Sequence, residues 1–184
     1  MGPGVRVETG TISSHLIPLD AGFGTCGQGH ERTRPYVAWV ARIPRFIWPD
    51  GIFHVTTRGV DKMPIYRDDD DRRVFLSLLG LATERYEWTC QTFCLMTNHY
   101  HLVIDTTREY LSEGLQLLNG QYAQGFNGKY GRWGHVFGER FCCRPVPEDR
   151  LEAVCIHVMM NPVRAGLCMK MEDWPWSACR YELG

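Results

Sequence analysis

Residues 94–104 read CLMTNHYHLVI and place two histidines inside an apolar run with the composition of a β-strand. Side chains at positions i and i+2 of a strand lie on the same face of a sheet, so His99 and His101 project together and Tyr100 projects to the opposite face. Two imidazoles at this spacing are able to bind one cation. The same spacing also fits satisfied core histidines or solvent-facing neighbours, and the Thr-Asn pair before them indicates a turn at the start of the strand.

The segments on either side of this run predict an α+β fold. Before it, Phe53, Val55 and Thr57 alternate with polar residues at strand spacing, and the acidic run at 68–71 leads into apolar residues at helical spacing. We expect strands at 53–57, 88–95 and 100–105, helices at 68–82, 110–126 and 148–160, and an irregular basic loop at 127–146. The last helix is expected to end at Asn161-Pro162. This order predicts an antiparallel sheet with helices on one face.

Length and composition limit the class of protein. The chain has 184 residues, 44% of them hydrophobic, which suits one domain with a core and an appendage. It has no run near 18 apolar residues and no basic-then-apolar start, so we expect neither a membrane span nor a signal peptide. None of the eight cysteines forms a Cys-x-x-Cys pair, which favours reduced thiols in a cytoplasmic protein. Because the formal net charge is −1, any basic surface that binds nucleic acid must be local.

Residues 1–40 differ from the rest of the chain because Gly, Thr, Ser and Pro dominate them and no hydrophobic period is sustained. We expect a poorly structured N-terminal extension over residues 1–40 and a folded domain over residues 41–184. Cys26 and His30 fall in this extension, and two isolated ligands are too few to predict a zinc site.

The segment 127–144 combines basic and aromatic residues, with four basic side chains against one acidic side chain. Guanidinium and ammonium groups attract phosphates, and aromatic faces stack on unpaired bases, so the pattern is typical of a surface for single-stranded nucleic acid. A solvated loop whose aromatic residues pack internally fits the same pattern. The residues concerned are Lys129, Tyr130, Arg132, Trp133, Phe137, Arg140, Phe141 and Arg144.

His157 and Asn161 lie four residues apart in the last predicted helix and therefore share one of its faces. If this helix packs across the sheet near the histidine pair, the amide oxygen of Asn161 is available as a third metal ligand. In the alternative interpretation, Asn161 caps the end of the helix before Pro162.

Five blocks of the sequence resemble the single-tyrosine HUH transposases and look most like the branch of REP-associated tyrosine transposases. In chain order they are RIPRFIWPDGIFHVTTRGVDKMPIYRDDDDRRVFLSLL, CLMTNHYHLVI, GHVFGERF, NPVRAGL and DWPWSACRY. The resemblance covers about residues 40–181, and the HUH motif, His-hydrophobic-His, corresponds to His99-Tyr100-His101. It implies a small ferredoxin-like or RRM-like domain, an antiparallel sheet flanked by helices, that cuts single-stranded DNA near hairpins and rejoins it without ATP, as a monomer or homodimer. Family members begin near the ARIPR block, so we expect translation to start at Val37 or Val40.

The resemblance also implies a mechanism. In the family, two histidines and a polar residue of the late helix hold Mg²⁺ or Mn²⁺, which here corresponds to His99, His101 and Asn161, and the ion polarises the scissile phosphate. A tyrosine of that helix attacks the phosphorus, which forms a 5′-phosphotyrosyl link and leaves a free 3′-hydroxyl. We expect DNA contacts from Arg58, Lys129, Arg132, Trp133, Arg140, Arg144 and Arg164.

The chain departs from the family at the nucleophile. The family's tyrosine usually precedes the Asn of the Asn-Pro-Val block by four residues, and in this chain that residue is His157. An imidazole cannot give phosphotyrosine, although it is able to act as a general base for water or as a further metal ligand. The nearest other phenols are Tyr122, on the preceding helix, and Tyr130, and of the two Tyr122 is the alternative nucleophile.

These residues leave three functional classes open. The first is an active DNA-cleaving transposase, which needs a phenol near the metal. The second is a domesticated DNA-binding protein without catalysis, which His157 favours. The third is a metal-dependent hydrolase unrelated to DNA, which leaves the GHVFGERF and NPVRAGL blocks without an explanation. We hypothesise a transposase-family protein that binds hairpin or single-stranded DNA and is impaired in strand transfer.

Overall fold

A five-stranded antiparallel sheet forms the centre of the described structure. The computed structural model describes residues 49–138 and 140–180, so the predicted extension at 1–40, with Cys26 and His30, lies outside the described residues. The predicted strands and helices are present, and their ends differ from the prediction by at most four residues. The elements are β1 (Gly51–Arg58), α1 (Asp69–Arg85), β2 (Thr89–Leu95), β3 (His99–Thr106), α2 (Arg108–Tyr130), β4 (Cys142–Pro145), α3 (Leu151–Met159), α4 (Asn161–Arg164) and β5 (Ser177–Cys179). The strands lie in the sheet in the order β4-β1-β3-β2-β5.

The helices cover both faces of the sheet, which corrects the prediction that they share one face. On the first face, Phe53 and Val55 of β1 pack with α1 and α2 in the larger core. On the second face, Val103 of β3 packs with Val154 and Val158 of α3 in a smaller core. The sequence predicts an apolar face for each helix, but the face of the sheet that each helix covers depends on the path of the connections.

The ends of α1 and α2 follow from local sequence signals. Asp68 is the N-cap of α1: its carboxylate accepts from the backbone N–H of Asp71 at 2.9 Å, and the carboxylate of Asp71 accepts from the N–H of Asp68 at 3.4 Å. This capping box satisfies donors that the helix leaves unpaired, and the acidic first turn complements the helix dipole. α2 ends at Gly131, whose φ of 59° suits glycine. Although α2 has 23 residues, neither it nor any other helix in the described part of the chain is long and apolar enough to cross a membrane.

Two segments differ from the prediction. The interval 127–146 is not one irregular loop, because α2 continues through Tyr130 and β4 pairs with β1, with Cys143 opposite Val55. A four-residue edge strand has no period long enough to be recognised in a sequence. After α3 the chain forms one further helical turn, α4, and Pro162 lies in its first turn, where a proline costs no helical hydrogen bond.

Candidate functional site

Four histidine side chains meet on the face of the sheet that α3 covers. His54 lies on β1, His99 and His101 lie on β3, and His157 lies on α3. The ring centroid of His101 is 5.1 Å from that of His99 and 5.2 Å from that of His54. The ring of His157 stands edge-on to that of His54, with 6.5 Å between centroids. The structure thus brings the predicted pair together with His157 and adds a fourth imidazole.

His54 is the member of this cluster that sequence reasoning missed. In the sequence it is one polar residue of an alternating strand. In the pairing of β1 with β3, Thr56 lies opposite His101 and Arg58 lies opposite His99. His54 shares the face of Thr56 and therefore reaches His101 diagonally across the two strands. Alternation in β1 places His54 on the polar face, but only the strand register brings it to the histidine pair.

The contacts of Asn98 fix the proton position on His99. The amide nitrogen of Asn98 donates to the carbonyl of Lys62 at 2.9 Å, and its amide oxygen lies 2.8 Å from Nδ1 of His99. An amide oxygen can only accept, so Nδ1 of His99 carries the proton and donates it. The lone pair of the neutral ring is therefore on Nε2, which is the atom available to a cation.

His101 is buried and has one nitrogen without a hydrogen-bond partner. Its Nδ1 lies 3.0 Å from Nε2 of His54 and 3.3 Å from the hydroxyl oxygen of Thr56. Its Nε2 is buried and makes no hydrogen bond within the described structure. A buried polar atom without a partner is costly in a native fold, and such an atom marks a position where a ligand would compensate it.

Burial keeps the three sheet histidines neutral. It lowers the pKa of His54 and of His99 from 6.5 to about 4, with His157 adding to the effect at His54 and Arg58 adding to it at His99. Burial likewise holds the pKa of His101 well below its usual range, and His54 is the next cause. Neutral imidazole is the form that binds a metal, so these side chains need no deprotonation near pH 7.

The donors of the pair fit a divalent cation. Nε2 of His99 holds a lone pair, and Nε2 of His101 is the buried atom without a partner. Imidazole nitrogen is a suitable ligand for first-row divalent ions such as Mn²⁺. Among residues 49–138 and 140–180, no three His, Cys, Asp or Glu side chains are arranged to hold a metal ion, so a cation bound to this pair would need further ligands of another kind.

His157 is held by Arg164. A guanidinium nitrogen of Arg164 lies 2.8 Å from Nδ1 of His157 and 3.4 Å from its carbonyl oxygen. A guanidinium can only donate, so Nδ1 of His157 accepts and the proton of the neutral ring is on Nε2. Burial and then the charge of Arg164 lower the pKa of His157, which favours this neutral form.

Asn161 makes the contacts of a helix cap. Its amide nitrogen donates to the carbonyl of His157 at 2.9 Å and to that of Val158 at 3.2 Å, at the end of α3. The observed hydrogen bonds of Asn161 are therefore those expected of a residue that caps the end of α3. Only the amide oxygen of Asn161 has the chemistry of a metal ligand, and this role stays a prediction.

Tyr122, the alternative phenol, lies in the larger core on the opposite face of the sheet. Its side chain is 1% exposed and packs against Tyr66, Phe75 and Phe126. Its hydroxyl donates to the carbonyl of Ile65, and burial raises its pKa above the usual range. The structure does not bring Tyr122 together with the histidine pair, and we do not propose it as the nucleophile.

Lys129 and Arg164, two of the predicted DNA-contacting cations, make polar contacts with other residues of the fold. Nζ of Lys129 lies 2.8 Å from a carboxylate oxygen of Asp68 and 2.8 Å from one of Asp71, which joins the end of α2 to the start of α1. Arg164 donates to His157. The carboxylates therefore partly neutralise the charge of Lys129 before any phosphate arrives, whereas Arg164 keeps its charge and uses one donor group on a neutral imidazole.

The remaining predicted contacts fall into two groups. Arg58 and Arg144 lie in the sheet beside the histidine cluster, opposite His99 and His54 respectively. Trp133 and Arg140 are exposed after α2, and Trp133 is 95% exposed. Arg132 is half-buried, with its guanidinium 5.8 Å from the ring centroid of Phe126.

Comparisons with known proteins bear on the family and the fold of the chain. The model of the family described as "Transposase IS200 like" matches residues 49–160. Among solved structures, the chain is similar to a REP-associated tyrosine transposase bound to a REP hairpin, with a TM-score of 0.58 and 14% identity over 80% of this chain and 81% of the other. It is also similar to a protein of Deinococcus radiodurans R1 assigned as a transposase, with a TM-score of 0.45 and 13% identity over 70% of this chain and 95% of the other. The search of curated proteins finds no match. The first similarity confirms the predicted α+β fold.

Proposed function

Because the chain belongs to the family of IS200-like transposases, we propose that it binds single-stranded or hairpin DNA through a metal-dependent cleavage site whose strand transfer is impaired. The observation that carries this proposal is the side chain of His157, which faces the histidine cluster with Nδ1 held by Arg164. A phenol at this position would be the family's nucleophile. The imidazole found there lacks the chemistry of that step.

The ligands of the proposed cation are Nε2 of His99, Nε2 of His101 and the amide oxygen of Asn161. When bound, Mg²⁺ or Mn²⁺ would polarise the scissile phosphate and offset charge in the transition state. The imidazoles favour Mn²⁺ over Mg²⁺ because nitrogen is a softer donor than oxygen. The open set of protein ligands leaves positions for phosphate oxygens and water.

The charge around the cluster supports a phosphate ligand. Arg58 and Arg144 lie opposite two members of the cluster in neighbouring strands. Guanidinium groups bind phosphate oxygens in a bidentate manner, so these two side chains are the proposed contacts to the backbone next to the scissile bond. Exposed Trp133 and Arg140 supply stacking and a further phosphate contact for unpaired nucleotides. A transposase of similar fold is bound to a REP hairpin, which supports a hairpin as the ligand.

Loss of strand transfer follows from the proton positions on His157. Rejoining requires the phosphodiester energy to be stored in a covalent link to the protein. With Nδ1 accepting from Arg164 and the proton on Nε2, neutral His157 presents no lone pair to a phosphorus atom or to a water proton. Hydrolytic nicking by a water molecule remains compatible with this arrangement, whereas transfer through a phosphotyrosine does not.

The second candidate is a domesticated DNA-binding protein that has lost cleavage as well. The hydrogen bond between Arg164 and His157 favours this second candidate, because it occupies the lone pair with which His157 of α3 would activate a nucleophilic water. The two candidates share the DNA ligand and differ in whether the histidine pair still supports nicking.

One experiment separates these candidates. The full chain is incubated with a labelled single-stranded hairpin oligonucleotide and with a blunt duplex of the same sequence, and both binding and nicking are measured with EDTA, Mg²⁺ or Mn²⁺. We expect tighter binding to the hairpin than to the duplex, with Mn²⁺-dependent nicking that His99→Ala abolishes while binding persists. Hairpin binding without nicking would favour the domesticated protein. Equal affinity for hairpin and duplex would contradict both candidates.

A further inference from the structure

We propose that His54 is a positioning residue for the metal site: its Nε2 accepts the Nδ1 proton of His101 and so directs the lone pair on Nε2 of His101 to the cation. This inference rests on the proposed function for the role of the cation, and on the geometry of the two rings for the role of His54. Nothing in the motif around the histidine pair points to His54, which lies 45 residues before His99 in the chain, on another strand.

The two rings make one hydrogen bond, and its direction decides the chemistry of His101. Nε2 of His54 and Nδ1 of His101 are 3.0 Å apart, and the rings stack with 19° between their planes. One of these nitrogens must donate and the other must accept. If His101 donates, its lone pair lies on Nε2. If His54 donates, Nε2 of His101 carries a proton and cannot bind a cation.

The surroundings of His101 favour the first direction. Its Nε2 is buried without a hydrogen-bond partner. A proton on that atom would be a buried donor that nothing accepts, and such groups are rare in native structures. A lone pair on that atom is satisfied as soon as a cation binds. The hydroxyl oxygen of Thr56, 3.3 Å from Nδ1, is a second acceptor for the proton on that side of the ring.

The other histidine of the pair provides an independent parallel. Nδ1 of His99 donates to the amide oxygen of Asn98, whose orientation is fixed by the bond from its amide nitrogen to the carbonyl of Lys62. His99 therefore presents Nε2. With His54 as acceptor, both histidines have the same tautomer, each with Nδ1 held by a second side chain. Such outer partners typically fix the tautomer and orientation of a metal-bound imidazole.

The position of His54 in the sheet holds its Nε2 atom where it is able to accept the Nδ1 proton of His101. It lies in β1, whose backbone is paired on both sides, by β3 and by β4. Its side chain is half-buried against the second face of the sheet, with Arg144 opposite it on β4 and the edge of the His157 ring nearby. A side chain held by a central strand keeps the acceptor atom in place before the cation arrives, which is the condition for a preorganised site.

The experiment measures the tautomer and the metal affinity without DNA. Long-range ¹H–¹⁵N spectra of the metal-free, ¹⁵N-labelled full chain report which nitrogen of His101 carries the proton. Titration with Mn²⁺ followed by electron paramagnetic resonance gives the affinity of the parent and of His54→Leu, His54→Gln and Thr56→Val. His135→Leu is the control for loss of a histidine, since His135 is exposed.

We expect His101 of the parent to carry its proton on Nδ1, and His54→Leu to weaken Mn²⁺ binding by about 10- to 100-fold. His54→Gln keeps an acceptor oxygen and should retain most of the affinity, and Thr56→Val should have a smaller effect than His54→Leu. His135→Leu should match the parent. If His54→Leu does not fold, the tautomer of the parent and the affinity of His54→Gln decide the question.

A proton on Nε2 of His101 in the parent would overturn the role of His54, and so would an unchanged Mn²⁺ affinity in folded His54→Leu. Neither result would bear on whether the parent protein binds and nicks hairpin DNA. Conversely, Mn²⁺ binding that depends on His54 in a protein without affinity for hairpin DNA would support the positioning role and contradict the proposed function. The two proposals therefore fail separately.

Discussion

At the scale of single residues, proton positions decide what the histidine cluster is able to do. Asn98 leaves the lone pair of His99 on Nε2, whereas Arg164 occupies the lone pair of His157 on Nδ1. The same side-chain type therefore offers a lone pair to a cation at one position and has its lone pair occupied at another. Residue identity alone does not distinguish these roles, and the hydrogen-bond partner does.

The charge of Arg164 gives a direct prediction for His157. Burial and then Arg164 lower the pKa of His157, so Arg164→Met should raise that pKa towards 6.5 without reaching it, because burial remains. The measurement is a ¹H NMR titration of the imidazole C–H signals. Arg150→Met is the matched control, since Arg150 is exposed and lies as many residues before His157 as Arg164 lies after it. An unchanged pKa in Arg164→Met would mean that the bond between the two side chains is not formed in solution.

The sequence predicts the histidine pair but not its partners. Spacing within one strand is sufficient to place His99 and His101 on one face. The acceptor for His99 depends on the carbonyl of Lys62, and the contact of His54 depends on the register between β1 and β3. These are long-range features, and a single sequence carries no local signal for them.

At the scale of elements, two of the four glycines in α2, Gly114 and Gly120, lower its predicted helicity and differ in how closely they are packed. A Cβ atom at Gly114 would lie 2.2 Å from the ring of Trp88, whereas a Cβ atom at Gly120 would meet nothing within 4 Å. Gly114 therefore allows close packing between α2 and the residue before β2. Gly120 has no comparable packing requirement.

These two positions give opposite predictions for stability. Gly114→Ala should lower the free energy of unfolding by about 1–3 kcal/mol, because the indole has to move within a packed core. Gly120→Ala should raise it by about 0.5–1 kcal/mol, because alanine is the better helix former. Urea denaturation of both variants and the parent measures the difference. A Gly114→Ala variant as stable as Gly120→Ala would contradict the packing described for Trp88.

The start of α1 was more predictable than the end of α2 or the edge strands. The acidic run at 68–71 is a local signal with a direct physical effect on a helix start, whereas the predicted end of α2, at 126, is four residues before the observed end at Tyr130. β4 has four residues and β5 has three, and each is stabilised by its neighbour in the sheet rather than by its own pattern. Strands as short as these can be recognised only from their pairing in the assembled sheet.

At the scale of the whole molecule, the two faces of the sheet hold different features. The face covered by α1 and α2 holds the larger core and Tyr122, and the face covered by α3 holds the histidine cluster. The sequence resemblance predicts three residues of the cluster, His99, His101 and His157, but not His54. It does not predict that the alternative phenol is separated from the cluster by the sheet itself.

DNA binding gives a prediction for the most exposed aromatic side chain. Trp133 is 95% exposed, so Trp133→Ala should leave the free energy of unfolding unchanged. If Trp133 stacks on an unpaired base, the variant should bind a single-stranded hairpin more weakly by about 1–3 kcal/mol, with the same dependence on salt. Fluorescence anisotropy at several salt concentrations measures both quantities. Met169→Ala is the control, since Met169 is 88% exposed and is not a stacking group. Equal affinity of the two variants would exclude Trp133 from the DNA surface.

The most direct test of the central claim, that the fold and metal site are retained and only the phenol is missing, is a search for a covalent protein–DNA adduct in His157→Tyr. Parent, His157→Tyr and the double variant His157→Tyr with His99→Ala are incubated with a labelled hairpin and Mn²⁺, then denatured and separated. We expect an adduct with His157→Tyr and none with the parent or the double variant. An adduct with the parent would contradict the claim, because it would require a nucleophile that the described structure does not place near the cluster. No adduct with a folded, hairpin-binding His157→Tyr would contradict it as well, because the site would then lack more than the phenol.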